Sequence, residues 1–305
     1  MKRPFWQAAI RFIFFGNYFY GLCAIALSIE ASLQQQYPLN NLLYYTIVFC
    51  ATVLYYTRAY ITDNKAVTSN QRTNWYIGFK RWVVFSQIML TIIVALGAGF
   101  FLYKNWQAIK WMSWQSWGLI LIFPVTAALY YGVNSKKLGR YNLRNSGWLK
   151  PFVIGFAWAG LVTVYPVLFY SIDHGLHFQP TLVGLFLFIK HFMFITVLCI
   201  MFDIKDYAVD YNRQLKTFVV NVGLRKTIFY IIIPLCVIGL VSFISYAMLR
   251  HFHFMKIALN IIPFAALIAV AWSMHRRQSI LYYLIIIDGL MLVKALCGTI
   301  AMVYF

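Results

Sequence analysis

Asp203, Asp206 and Asp210 place three of the chain's seven acidic residues within eight positions, in MFDIKDYAVDYNRQLKT. They follow directly on the apolar run 186–201, where a membrane helix would reach water. If that helix continues, positions i, i+3 and i+7 share one face. Carboxylates held so close repel one another unless a cation lies between them. Hard oxygen donors favour Mg²⁺, which keeps several waters and bridges carboxylates to phosphate oxygens. Lys205, Arg213 and Lys216 stand near enough in sequence to meet such phosphate oxygens. The plainer reading is a solvated helix end whose acids pair with the surrounding lysines and arginines.

The rest of the chain must put those acids at a membrane surface. Of its 305 residues, 62% are hydrophobic and 11% charged, more apolar surface than a soluble protein of this length can hide. The net charge of +19 invites a nucleic-acid partner, yet the basic residues lie in short loops between apolar segments. That distribution points to anionic membrane lipids and an anionic substrate, with no nucleic acid. The cysteines at 23, 50, 199, 236 and 297 fall inside apolar segments, without the spacing of a zinc site or a disulfide framework. The N-terminal run reads as a retained first span, because its apolar body is long and carries Arg11 and Asn17.

Stretches of about 20 apolar residues recur throughout, which predicts an all-α, polytopic membrane bundle of nine transmembrane helices in a single domain, 1–305. The expected spans are 6–28, 41–60, 78–103, 114–133, 150–171, 181–202, 227–249, 255–273 and 279–303. Pro124 and Pro234 fall inside two of them, where neighbouring helices must satisfy the carbonyls that proline frees. With the N-terminus in the cytoplasm, nineteen lysines and arginines lie on that side against four on the other. The positive-inside rule then sets the N-terminus inside and the C-terminus outside a cytoplasmic (inner) membrane, with the acidic cluster on the cytoplasmic face.

Lys190, His191, Asp288 and Lys294 lie inside apolar spans, where an unpaired charge is expensive. Asp288 is expected to pair with Lys190 or Lys294. A transporter reading is weaker, since the acids crowd one surface and do not mark a midplane path. No GxGxxG or P-loop supports nucleotide binding.

Asp203-x-x-Asp206-x-x-x-Asp210, followed by Lys216-Thr217 and Gly223, resembles the second aspartate-rich motif of the UbiA superfamily of integral-membrane prenyltransferases. The segment 130–163 is similar to that family's basic loop between spans four and five. The resemblance implies a UbiA-like fold and transfer of a prenyl group from an isoprenyl diphosphate to a membrane-held lipophilic acceptor. Asp206 and Asp210 would be the catalytic Mg²⁺ ligands, with Asp203 a further acid at the metal. Asp63 would be the remnant of the family's first aspartate motif, in which Tyr55 and Ala59 stand where the family has Asn and Asp. Arg72, Lys136 and Lys216 would face the diphosphate. The departing diphosphate leaves an allylic carbocation for the acceptor to capture. The alternative is a non-catalytic relative that keeps the fold to bind lipid or a partner.

Overall fold

A computed structural model describes residues 5–61, 71–131, 148–212, 217–274 and 279–305, and among these the chain is helical with no strand. In chain order the helices are α1 (Phe5–Phe15), α2 (Tyr18–Gln34), α3 (Leu42–Ile61), α4 (Gln71–Gly78), α5 (Lys80–Lys104), α6 (Trp106–Lys110) and α7 (Trp114–Tyr131). There follow α8 (Lys150–Asp173), α9 (Leu182–Asn212), α10 (Phe218–Val222), α11 (Leu224–Leu249), α12 (Phe254–Ser273) and α13 (Ile280–Tyr304). Six of them, α5, α8, α9, α11, α12 and α13, are long and apolar enough to cross a bilayer. The bent pair α1–α2 makes a seventh if it is one span, and Trp114–Tyr130 is a shorter apolar helix. The chain is therefore a multi-pass membrane protein. Its helices gather into two compact units, Met1–Ala26 with Asn40–Trp111, and Leu27–Leu39 with Met112–Phe305.

In the first unit the chain breaks between α1 and α2, whose axes differ by 66°. Asn17 makes the turn with φ 66, a left-handed conformation that Asn tolerates better than most residues. The break orphans the Phe15 carbonyl at the end of α1, and α4 supplies its donors. The Tyr76 hydroxyl donates to it across 2.7 Å and the Arg72 guanidinium across 3.3 Å. Asn17 in turn donates to Thr57 and to the Tyr76 hydroxyl, both at 3.0 Å. Burial pushes the Tyr76 phenol up to about 12, with the Arg72 charge opposing the shift. Elsewhere in this unit, α3 and α5 pack together where Gly97 lies against Leu43 and Ile47.

In the second unit α9 is the central element. It packs on the first part of α8 and on α11, while α12 packs on α13. Between membrane helices there is little hydrophobic driving force, so close packing and hydrogen bonds must hold them. Gly155 of α8 supplies the close approach, since a Cβ there would overlap the Thr196 hydroxyl of α9. Leu187, Phe243, Tyr246 and Ala247 form the fully buried contact of α9 with α11. The Tyr246 hydroxyl donates across 2.6 Å to the Gln34 carbonyl, in the last turn of α2.

Pro124 in α7 shows how the bundle accommodates a helix-interior proline. Proline has no N–H, so the carbonyl four residues earlier, that of Ile120, loses its helical donor. The Tyr165 hydroxyl of α8 donates to that oxygen across 2.7 Å. Neighbouring helices do satisfy the freed carbonyl at this position. Tyr165 directly follows a π-helical turn, Gly160–Val164, that precedes Pro166. A second π turn, Ile228–Ile232, likewise precedes Pro234.

Candidate functional site

Helix α9 runs without interruption from Leu182 to Asn212, so it continues well past the expected span end at 202. Asp203, Asp206 and Asp210 are thereby spaced i, i+3 and i+7 on one regular helix, which puts their positions on one face. Asp203 is 1% exposed, and its Oδ1 accepts from the Lys150 ammonium at 2.8 Å. Lys150 is placed there by the start of α8, where Pro151 fits the first helical turn because its missing N–H has no intrahelical use. The pair is unequal, since Lys150 keeps 30% of its side chain exposed. Solvent screens that end of the ion pair, so its net contribution to stability is small. Its larger effect is electrostatic: one Asp203 oxygen is already matched by a cation.

The side chains of Asp206 and Asp210 lie outside the described residues, as do Asp63, Lys136 and Lys216 altogether. Among the described residues no three His, Cys, Asp or Glu side chains come together as a metal-ligand group. Aspartate is a residue type that hard divalent cations take, and three aspartate positions share one face of this continuous helix, the first of them ion-paired to Lys150. Arg72 is 7% exposed, and its described contacts bind the α1–α2 break. Its guanidinium also lies 4.5 Å from the centre of the Tyr60 ring. Two residues of the aspartate motif's downstream part have local structural work. Thr217 accepts from the Val220 N–H as the N-cap of α10, and Gly223 joins α10 to α11 with φ 86, a conformation glycine takes at little cost.

Among the described residues a dense polar site lies elsewhere, one that the sequence pattern does not assemble. Glu30, Gln34, Lys190, His191, Asn260 and Lys294 meet inside the second unit, each at most 2% exposed. Lys190 uses all three of its donors, to Glu30 at 3.3 Å, Gln34 at 3.2 Å and Asn260 at 3.0 Å. Lys294 donates to the other Glu30 oxygen at 2.6 Å. His191 brings Nε2 to 3.4 Å from that same oxygen, and its Nδ1 is 3.0 Å from the Thr163 hydroxyl. Gln34 donates to both Glu30 and Asn260. The acid that receives both buried lysines is thus Glu30, in place of the expected Asp288, which is itself buried at the start of the last helical stretch of α13.

Space for the Glu30 carboxylate comes from Gly298, where a Cβ would lie 2.5 Å from it. The first span was expected to end at 28, which left Glu30 in a loop; α2 in fact carries it inward by continuing to Gln34. The signal was present in the spacing of Glu30 and Gln34, four apart and so on one face of any helix that includes both.

No protein-family model, no curated protein and no solved structure matches this chain.

Proposed function

We propose that the protein is a nine-span, UbiA-like membrane prenyltransferase that moves a prenyl group from an isoprenyl diphosphate to a lipophilic acceptor. The observation that carries this reading is the uninterrupted course of α9, which sets three aspartate positions on one face where a membrane span ends. Such a face is suited to a phosphorylated lipid whose tail stays in the bilayer while its diphosphate meets cations at the surface. Asp206 and Asp210 would hold Mg²⁺, with the second oxygen of Asp203 beside them. Bound there, the metal would neutralise diphosphate oxygens, a stabilisation worth several kcal/mol in comparable reactions.

The chain's own residues have distinct parts in this scheme. Lys150 fixes the Asp203 carboxylate and keeps the local charge from becoming too negative for a diphosphate to approach. The buried Asp203 and Ile204 would keep water from the side of the site nearest the bundle, which protects a reactive allylic cation from quenching. The N-terminus and the acidic helix end would both face the cytoplasm of a bacterial-type inner membrane, with the C-terminus outside.

The test is Mg²⁺-dependent diphosphate release by purified protein in detergent, over a panel of isoprenyl diphosphates. Release that falls at least about 100-fold in Asp206→Asn and Asp210→Asn supports the reading, as loss of a metal site should. Undiminished release in both variants removes it. Substrate binding with no release favours the non-catalytic relative.

A further inference from the structure

We infer that the first unit carries a dedicated binding site for one anionic phospholipid, its acyl chain seated in the crevice beneath the α1–α2 break and its phosphate met by Lys80 and Arg81. This inference is independent of the prenyl-transfer reading.

The crevice exists because α1 turns away from α2 by 66° at Asn17, leaving room between α1, α4 and the start of α5. Its volume is about 510 Å³, within the range of ligand pockets, about 300–1,000 Å³. Phe12, Trp75, Phe79, Trp82 and Phe85 line it, together with Val83. In a bilayer such a lined space is filled by hydrocarbon, and the lipid itself is the nearest source.

Charge selects which lipid. The first unit has ten lysines and arginines in its sequence against one acid, Asp63. Lys80 and Arg81 are exposed and flank the α5 face that lines the crevice, at positions 82, 83, 86 and 89. Among the described residues neither meets a carboxylate within ion-pair distance. Two long cationic side chains at a span terminus reach the headgroup layer, and each near an anionic surface favours it by about a five-fold factor. Deeper in the crevice the Tyr18 and Ser86 hydroxyls satisfy each other at 2.7 Å, so the slot presents hydrocarbon without an orphaned polar group.

The experiment uses phosphatidylglycerol and phosphatidylcholine that carry a photoreactive diazirine in the acyl chain, each incorporated into vesicles with the full-length protein. After irradiation the labelled peptides are mapped by mass spectrometry. Phosphatidylglycerol is expected to label the 75–89 region, with a preference of roughly twenty-five-fold over phosphatidylcholine, two five-fold factors combined. K80Q/R81Q, two changes at exposed positions, should remove most of that preference while circular dichroism stays unchanged. K104Q/K110Q, at the far end of α5 and the end of α6, should keep it, which separates a built site from diffuse attraction of the surface. Equal labelling by the two lipids overturns the proposal, as does labelling spread evenly along α5 or a preference untouched by K80Q/R81Q.

Discussion

Lys294 reaches Glu30 across 2.6 Å, from a position six residues beyond Asp288 on the same helical stretch of α13. A carboxylate buried with two ammonium groups is secure only while all three are present. Glu30→Gln should therefore be the most damaging single substitution in the second unit, costing about 3–5 kcal/mol through the two lysines it strands. Reversible unfolding in mixed micelles measures it. Adding Lys294→Met to Glu30→Gln should cost less than the sum of the two single changes, because the double variant strands one charge fewer.

Tyr165→Phe removes the hydroxyl that donates to the Ile120 carbonyl. The expected cost is about 1–3 kcal/mol, the penalty for a buried acceptor left unmade. Pro124→Ala returns a backbone N–H to that carbonyl. In the Pro124→Ala background the Tyr165→Phe cost should shrink towards zero, and additive costs in the double-mutant cycle would contradict the explanation given for this bond.

Lys150→Met separates stability from chemistry. The ammonium is partly exposed, so the loss of stability should stay below about 1 kcal/mol. Its removal takes away the cation that lies against the Asp203 carboxylate. If the acidic face of α9 holds Mg²⁺, the concentration needed for half-maximal diphosphate release should fall roughly ten-fold, since a neighbouring positive charge has gone. An unchanged or increased Mg²⁺ requirement would speak against metal binding at this face.

At the α1–α2 break, Arg72→Ala should cost about 2–3 kcal/mol, the range for hydrogen bonds to a charged group. Arg72→Lys should recover only part, because an ammonium cannot fork between the Phe15 carbonyl and Asn17. Tyr76 adds a pH signature. Its phenol is raised from 10.0 to about 12 in the folded chain, so its hydrogen bonds contribute fully below pH 10 and are lost as the pH rises through 12. Tyr76→Phe should flatten the alkaline limb of the stability profile over that window.

Much of the architecture is legible in the sequence because bilayer thickness imposes one length on every span. Among the described residues each expected stretch contains helix, and length with composition qualifies six of them, or seven with the bent pair, as membrane spans. Pro124 was legible too, since the chemistry of the missing N–H names the orphaned carbonyl, although only the fold shows that Tyr165 fills the role. Glu30 was not. Hydropathy closes the first span before it, and the buried partners lie 160 and 264 residues away, beyond any local pattern. The acidic motif was read as a unit, yet Asp203 belongs to the packed end of the helix with Lys150 as its partner, and Thr217 and Gly223 are accounted for by a cap and a turn. Spacing reports which positions share a face; it does not report which of them the next helix will cover.

The uninterrupted course of α9 also has a mechanical consequence. Lys190 and Asp203 are thirteen residues apart on one rod, about 20 Å along its axis. The rod cannot rotate to re-aim its carboxylates without withdrawing Lys190 from Glu30, Gln34 and Asn260 together. The interior contact works as a locked bearing, so the angular setting of the acidic tip is decided in the middle of the membrane.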